Sequence, residues 1–293
     1  MPYKNYKLGI VILNYGDPQL SFNLVKSLIK TKEKFYIVIV DNFSTKNNLR
    51  KLENFVINCK QKFIYLKRSK NLGYGFGNNL GLKTCFEQLK TDYSLVLNPD
   101  ISLKKNCSFS SLKMINKDEK YLFTGIVNEN NKNHSLYKFN KLTLRLSNYK
   151  KNKSDGTLPV IPSGSCIGFT KKLWKDFGGF SENYFLYFEE LDLIYRFRKK
   201  YKIFPTTKVL KSIKLNHLQG GTMGSEKTAP VDYWSSRSRI IFLRIHFIWY
   251  LPIGLFYNLI KIFHRFLSFK FINIKSLFLG TFSGLCFTYK KNE

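Results

Sequence analysis

The chain has 293 residues, 44% of them hydrophobic, which is enough for one large folded domain, or for one of about 220 residues with an appendage. Its 49 Lys and Arg against 19 Asp and Glu give a net charge of +30, which indicates a polyanionic partner: nucleic acid, anionic lipid or a phosphorylated substrate. The five cysteines include no Cys-x-x-Cys pair, which argues against a zinc site or a disulfide framework and favours a reducing compartment.

Short apolar runs alternate with amphipathic stretches in the N-terminal half. Strands are predicted at residues 8–13, 35–40, 63–66 and 93–97, and helices at 19–30, 49–57 and 79–89 between them. This alternation predicts an α/β fold: a mostly parallel, Rossmann-like sheet flanked by helices, with ligands at the carboxyl ends of its strands. Asn14, Tyr15 and Asp41 follow the first two strands and are expected at that edge. No cleavable apolar segment precedes the first strand, so the chain is expected to begin inside the cell.

The fourth predicted strand ends in the turn Asn98-Pro99-Asp100. Pro99 cannot donate a hydrogen bond to a sheet, so the strand stops before it, and Asp100 presents a hard anionic oxygen at its carboxyl end. A ligand or metal site is one interpretation of this turn. An ordinary polar turn is the other.

A glycine-rich segment, residues 71–81, follows the third strand. Its glycines at 73, 75 and 77 permit positive φ and close backbone approach, and a helix N-terminus follows, so the segment could cradle an anion. It departs from the dinucleotide fingerprint, whose glycines directly follow the first strand. Simple turning of the chain is therefore the alternative.

Two shifts in composition divide the rest of the chain. Residues 128–155 become rich in Asn, Lys and Ser, which predicts a variable exposed lobe within a first domain at 1–239. Residues 240–293 form an apolar, aromatic and basic C-terminal region with no window of ~20 uncharged residues that could span a membrane. Such amphipathic helices are typical of the headgroup region of an anionic leaflet. Packing against the first domain, or a subunit interface in a homo-oligomer, is the alternative.

A helix predicted at 188–200 carries a cluster of acids. At about 100° per residue, Glu189 shares a polar face with Asp192 and Arg196, which form an i, i+4 pair. Glu190 projects among apolar side chains, where a carboxylate is costly unless it has a partner or a task. We interpret Glu190 as a general base, and a structural carboxylate that caps its own helix is the alternative.

His217 follows a strand predicted at 209–215 and lies next to a Gly220-Gly221 turn. Imidazole is a frequent metal ligand, so His217 could complete the coordination of a metal at Asp100. A structural hydrogen bond is the alternative role.

Taken in order, these stretches resemble the inverting, GT-A-fold glycosyltransferases of family 2, and most closely their bacterial rhamnosyltransferase-like branch. The resemblance covers about residues 8–245 and rests on segments 11–15, 40–44, 71–75, 98–100, 178–192 and 217–222. No single segment is specific to this family, but the order of the segments along the chain is.

The resemblance implies a role for each candidate residue. The residues implied to hold the nucleotide-sugar are Asn14, Tyr15, Asp41, Asn71, Gly73, Asn98, Asp100 and Arg237. Asp100 and His217 would bind a divalent metal, Mg²⁺ or Mn²⁺, on the donor diphosphate, and Glu190 would be the base.

Three positions depart from the family pattern. Asn98 stands where the first acid of the metal motif is usual, so a single carboxylate remains there. The usual Glu-Asp pair is Glu189-Glu190, and the usual Arg-Asn pair is Arg237-Ser238, where Arg237 would steady a diphosphate.

The implied activity is inverting transfer of a hexose, rhamnose-like or other, from a dTDP- or UDP-linked donor to a hydroxyl of a glycan. The glycan is expected to be lipid-linked, in bacterial surface polysaccharide synthesis, with the enzyme on the inner face of the cell membrane. A nucleotidyltransferase is the first rival, but it would need a basic residue in a glycine-rich loop after the first strand, and residues 14–17 contain none. A non-catalytic membrane- or nucleic-acid-binding protein would explain the charge but not the ordered acids, so no nucleic-acid partner is expected.

Overall fold

A computed structural model describes residues 6–57, 63–129, 132–218 and 228–289. The strands in these ranges are β1 (Leu8–Asn14), β2 (Tyr36–Asp41), β3 (Phe63–Lys67), β4 (Tyr93–Leu97), β5 (Ile101–Leu103), β6 (Tyr121–Glu129), β7 (Lys132–Asn133), β8 (Leu136–Asn140), β9 (Arg145–Asn148), β10 (Val160–Pro162), β11 (Cys166–Thr170) and β12 (Thr206–His217). The α-helices are α1 (Gln19–Ile29), α2 (Lys46–Ile57), α3 (Tyr74–Lys83), α4 (Lys171–Phe177), α5 (Glu189–Tyr201), α6 (Ala229–His246), α7 (Leu251–Leu267) and α8 (Phe271–Leu285). A π-helical turn at Thr84–Gln88 extends α3, and 3₁₀ turns lie at Ser110–Met114 and Ile248–Tyr250.

The main sheet confirms the predicted alternation of strands and helices. Its strand order is β3-β2-β1-β4-β11-β6-β12-β5, with β7 paired to β6. β1 pairs in parallel with β2 and β4, and β2 with β3, as helical crossovers require. β11 runs antiparallel to both β4 and β6, so the parallel half continues into a mixed half.

Alternate side chains of β1 enter two separate cores. Ile10 and Ile12 pack on the side of the sheet that holds Leu24 of α1. Val11 points to the opposite side, with Leu82 of α3. Because side chains of a strand alternate between faces, an unbroken apolar run such as β1 requires helices on both faces.

The glycine-rich segment is mostly helical. α3 begins at Tyr74 rather than at residue 79. A Cβ at Gly77 would lie 2.3 Å from Leu13 Cδ1, and one at Gly81 would lie 2.3 Å from Val11 Cγ1. These glycines therefore let α3 lie close to β1. Gly73, with φ of +97°, stays in the loop before the helix.

The predicted variable lobe contains a small antiparallel sheet in the order β10-β8-β9. Its predicted start at residue 128 falls within β6, which extends the main sheet to Glu129. Phe139 of β8 makes edge-to-face contacts with Tyr195 of α5 and Phe242 of α6. These aromatic contacts join the small sheet to the helices beside the cleft.

The three C-terminal helices pack on one another. The predicted boundary after residue 239 falls inside α6, which is continuous. α8 lies close to α6 at Gly280. A Cβ at this position would be only 2.3 Å from Ser236 Oγ, so the absence of a side chain permits the approach. Arg265 of α7 forms an ion pair with the buried Asp232 of α6, with Nε 2.7 Å from Oδ2. Among the helices that the structure describes, none has the length and apolarity needed to cross a membrane.

Candidate active site

A cleft of about 1750 Å³ opens at the carboxyl ends of β1, β2 and β4. Residues 185–191 and side chains of α6 and α7 also line it. Pockets for one small molecule are usually about 300–1,000 Å³, so this cleft has room for more than one substrate. A second cavity, of about 780 Å³ beside α3, α4 and α5, is lined by none of the predicted site residues.

Asn42, Asn71 and Gly73 form one end of the cleft. Asn42 Nδ2 donates to Asn71 Oδ1 (2.7 Å) and to the Gly73 carbonyl (3.2 Å), and the Gly73 N–H donates to Asn71 Oδ1 (2.9 Å). Asn42 Oδ1 is buried and has no hydrogen-bond partner among the described residues. Tyr15, which is 43% exposed, lines the same cleft. An amide oxygen that can still accept a hydrogen bond and an exposed ring suit a planar base.

Asn14 and Asp41 lie behind this end of the cleft, which corrects their expected direct contact with the nucleotide. They are 1% and 0% exposed, and unlike Asn42 neither lines the cleft. Asn14 Nδ2 donates to Asp41 Oδ1 (3.1 Å) and to Ser44 Oγ (3.1 Å), and Ser21 Oγ donates to Asn14 Oδ1 (2.7 Å). This network joins the ends of β1 and β2. The polar side chain that reaches the cleft after β2 is Asn42, which sequence reasoning passed over although it is adjacent to Asp41.

Asp100 and His217 lie together. His217 Nε2 is 3.3 Å from Asp100 Oδ2, and Nδ1 is 3.1 Å from Glu129 Oε2. Asp100 Oδ1 is buried and accepts no hydrogen bond from the described residues. Asn98 lines the same cleft. The predicted Gly220-Gly221 turn lies outside the described ranges.

These residues can be tested for their fit to a divalent metal. A buried carboxylate oxygen without a partner, next to an imidazole, is a suitable start of a coordination shell. Within the described ranges, no three or more His, Cys, Asp or Glu side chains are grouped as metal ligands. Asp100 and His217 therefore fit a metal that takes its remaining ligands from a bound diphosphate or from water.

Glu190, in the first turn of α5, faces the cleft. A Cβ at residue 164 would lie 2.0 Å from Glu190 Oε1, so Gly164 makes room for the carboxylate. The Tyr74 hydroxyl donates to the Gly164 carbonyl (2.7 Å) and holds that turn in place. Burial raises the pKa of Glu190 above its usual value, which suits a carboxylate that must accept a proton.

The chain enters α5 through two left-handed residues. Tyr187 and Phe188 have φ of 70° and 72°, a conformation that costs an L-residue roughly 1–2 kcal/mol. Ser238 Oγ of α6 donates to the Leu186 carbonyl (2.7 Å) and helps to hold this turn. Backbone strain of this kind persists where the surroundings impose it, often at functional sites. α6 thus helps to position Glu190.

Glu189 is more buried than its predicted polar face implied. It is 2% exposed, and its Oε1 has no hydrogen-bond partner among the described residues. Burial, and then the charge of Glu190, raise the pKa of Glu189 well above its usual value. The predicted polar face packs against α6, where His246 Nε2 lies 2.8 Å from Asp192 Oδ1. A helical wheel assigns residues to faces but does not say which face another helix covers.

Replacing Glu189 with Gln should stabilise the protein at alkaline pH. A raised pKa means that the fold favours the protonated form, so this stability is present at low pH and is lost as the pH rises through the raised pKa. Gln resembles the protonated acid. We expect similar melting temperatures for variant and wild type at about pH 5, and a gain of about 2–4 °C for the variant at about pH 8. A gain in melting temperature at about pH 5 that disappears at about pH 8 would contradict the raised pKa of Glu189.

Arg237 lies outside the cleft, which corrects its expected contact with a diphosphate. Its Nε donates to Ser283 Oγ (3.2 Å), and its guanidinium lies 4.9 Å from the centre of the Phe287 ring. Arg239 lines the cleft instead. Residues two apart on a helix differ by about 200° in direction, so only one of the two can face the cleft.

A family model and one relative match the sequence of this chain. The model of glycosyl transferase family 2 matches residues 10–178. A low-salt glycan biosynthesis hexosyltransferase of Haloferax volcanii, Agl10, is 27% identical over 206 residues, which cover 66% of this chain and 62% of the relative. The chain thus spans less than two thirds of that relative's length.

Two solved structures share the fold at low sequence identity. A crystal structure of GalNAc-T7 with UDP, GalNAc and Mn²⁺ superimposes with a TM-score of 0.57 at 12% identity, covering 80% of this chain and 47% of that one. A structure of S. aureus TarS 1-349 with UDP-GlcNAc superimposes with a TM-score of 0.53 at 19% identity, covering 79% and 65%. At such identities the likeness shows the fold alone.

Proposed function

The chain belongs to glycosyl transferase family 2, and from that membership we propose that it is an inverting hexosyltransferase that acts on a nucleoside-diphosphate sugar. The observation that carries the proposal is the position of Glu190, whose raised pKa and access to the cleft suit a general base. Nucleotide-binding groups and the base line the same cleft. Its volume accommodates a donor and an acceptor together.

In the proposed reaction, Glu190 accepts the proton of an acceptor hydroxyl while the oxygen attacks the anomeric carbon. The new carbon–oxygen bond forms on one face of the sugar, and the bond to the nucleoside diphosphate breaks on the other, so the configuration inverts. Asn42, Asn71 and Tyr15 hold the nucleotide at the far end of the cleft. This positioning fixes the line of attack.

Asp100 and His217 would hold a divalent metal, Mg²⁺ or Mn²⁺. When bound, the ion supplies Lewis-acid stabilisation of the charge on the leaving diphosphate. The presence of Mn²⁺ with UDP in the related GalNAc-T7 structure is consistent with this role. Asn98 supplies an uncharged side chain to the same part of the cleft, where it can contact the donor.

Asp100 and His217 should act as one unit in nucleotide binding. With Mn²⁺ present, we expect Asp100→Asn and His217→Ala each to weaken UDP binding about 10-fold to 100-fold, because each removes a ligand of one shell. The double variant should bind UDP only slightly more weakly than the single variant with the lower UDP affinity. Isothermal titration at several Mn²⁺ concentrations measures this, with His264→Ala, an exposed histidine of α7, as control. If the losses of UDP-binding free energy in the two single variants simply add in the double variant, His217 lies outside the coordination shell.

UDP and dTDP are the proposed donor nucleotides, and rhamnose or another hexose is the proposed sugar. UDP and UDP-GlcNAc are the ligands of the two structural neighbours, which favours UDP. A panel of UDP- and dTDP-linked hexoses, assayed with Mn²⁺ for slow release of the sugar to water, would identify the donor. We expect release of the sugar from a single class of donor, either UDP-linked or dTDP-linked. No release and no metal-dependent binding, together with salt-sensitive retention on nucleic acid, would contradict the proposal.

A lipid-linked glycan is the proposed acceptor, and the inner face of the cell membrane the proposed location, as in synthesis of bacterial surface polysaccharide. The support is the outward surface of α7 and α8, which we call the apolar surface. It includes Phe256, Phe263, Phe266, Phe271, Phe278 and Phe282, each between 57% and 66% exposed. Lys275 of α8 and Lys270, which directly precedes that helix, are exposed as well. So much apolar area is uncommon on a surface that stays in water, and an anionic leaflet accepts both its rings and its charges.

A further inference from the structure

Arg239 is a buried cation without an acidic partner in the described part of the chain. It is 7% exposed, and no ion pair joins it to a carboxylate of the described residues. One guanidinium nitrogen donates to Asn258 Oδ1, and Nε has no hydrogen-bond partner within the ranges that the structure describes. The guanidinium lies 4.4 Å from the centre of the Tyr257 ring. A buried guanidinium without an anionic partner costs folding free energy unless a bound ligand supplies that partner.

The carboxylate closest in its electrostatic effect, Asp232, is used by other groups. Arg265 donates to both of its oxygens (2.7 and 3.0 Å), and Lys261 Nζ lies 3.7 Å from Oδ1. Burial, and next the charge of Arg239, lower the pKa of Lys261. Three cations therefore lie near one acid at the contact of α6 with α7, and two of them, Arg265 and Lys261, pair with it. This leaves a local excess of positive charge.

Arg239 reaches the cleft from a different wall than the donor-binding groups. Those groups follow β1, β2, β3 and β4 or end β12, whereas Arg239 and Tyr257 come from α6 and α7. The guanidinium of Arg239 is 6.0 Å from the ring of Phe188, and Phe188 directly precedes the Glu189-Glu190 pair. An anion bound at Arg239 would thus be near the base while the nucleotide end of the cleft stays free.

We propose that Arg239 binds a phosphate group of the acceptor. The inference rests on the proposed function and specifies its acceptor class, a glycan joined to its lipid through a phosphate or diphosphate. A guanidinium can bind two phosphate oxygens at once, which an amide cannot replace. Tyr257 lies on α7, which also carries part of the apolar surface, so a lipid chain and its phosphate would meet neighbouring parts of the protein.

The test uses geranyl diphosphate and geraniol as probes of the full-length protein, with UDP and Mn²⁺ at saturation so that the donor end is filled. We expect the diphosphate to bind at least about tenfold more tightly than the alcohol. Arg239→Met, which keeps the packing on Tyr257 without the charge, should weaken diphosphate binding by about 10-fold to 100-fold. Arg239→Lys should retain part of it. Arg237→Met, on the same helix but outside the cleft, should change nothing.

The donor diphosphate is the other possible source of this phosphate, and the experiment separates the two. If UDP displaces geranyl diphosphate, or if Arg239→Met weakens UDP binding as much, the guanidinium serves the donor and the proposal is wrong. Unchanged diphosphate binding by Arg239→Met overturns it as well. Unaltered UDP affinity shows that the variant is folded. Failure of the wild type to bind any nucleoside diphosphate would instead count against the proposed function.

Discussion

Replacing Glu190 with Gln should lower the rate of sugar transfer by about 10²–10⁴-fold and leave UDP binding intact. The amide keeps the size of the side chain in the space beside Gly164 but cannot accept the proton of the acceptor hydroxyl. Because ground-state binding is unchanged, the loss should appear in kcat rather than in KM. Steady-state kinetics with a fixed donor, together with titration of UDP, measures both quantities.

The pH dependence gives a second test of the same residue. Glu190 must be ionised to act as a base, and burial raises its pKa. Activity of the wild type should therefore fall, as the pH is lowered, at a higher pH than an ordinary glutamate would give. Glu190→Gln should lose that acidic limb. Glu189→Gln is the matched control, with a milder effect, and if it were the more damaging change, the assignment of the base would be wrong.

Loss of membrane binding is the second large effect we expect. Changing Phe256, Phe263, Phe278 and Phe282 to Ser removes four outward rings of the apolar surface. If each buried ring contributes about 1–2 kcal/mol, the affinity for anionic vesicles should fall by at least about 10³-fold. Sedimentation with vesicles measures this, with Met114→Ser and Ile203→Ser, exposed residues outside α7 and α8, as control.

Point substitutions are preferable to deletion of the C-terminal helices. Asn258 and Arg265 of α7 bond to buried groups of α6, so truncation after residue 239 would expose polar and apolar atoms of the fold. High salt should release the protein if lysines dominate the attraction, and detergent should be needed if the rings insert. A variant that still sediments fully, but changes from dimer to monomer, would identify the apolar surface as a subunit interface.

The sequence predicted the parallel half of the sheet well because strand and helix periodicity are local properties. The predicted strand at 93–97 matches β4, and the first helix differs by one residue at its end. The fold itself is confirmed by the family match and by the structural neighbours. The turn that precedes Glu190 could not be predicted, because the left-handed conformation of Tyr187 and Phe188 is set by contacts with α6.

Errors at the candidate site came from contacts between distant segments. Gly75 and Gly77 resemble a phosphate loop in sequence, yet Gly77 allows α3 to approach β1, and Gly75 allows it to approach Phe180 and Ser181. Arg237 and Arg239 are equally basic, and only the packing of α8 shows that Arg237 points away from the cleft. Asn42 and Asp41 are adjacent, and the pleat of β2 decides which one enters the cleft. Each of these choices depends on a partner far away in the chain.

Because α6 is one continuous helix, it holds the cleft at a fixed distance from α7 and α8. Its 18 residues extend for about 27 Å without a hinge, and they carry both Arg239 and the contacts with α7 and α8. On a membrane, the height of Glu190 above the bilayer would therefore be constant. If the proposed location and acceptor hold, the enzyme would reach acceptor hydroxyls at one height only. The number of sugars between the lipid and the end of the glycan would then be a condition for reaction, in addition to the identity of the last sugar.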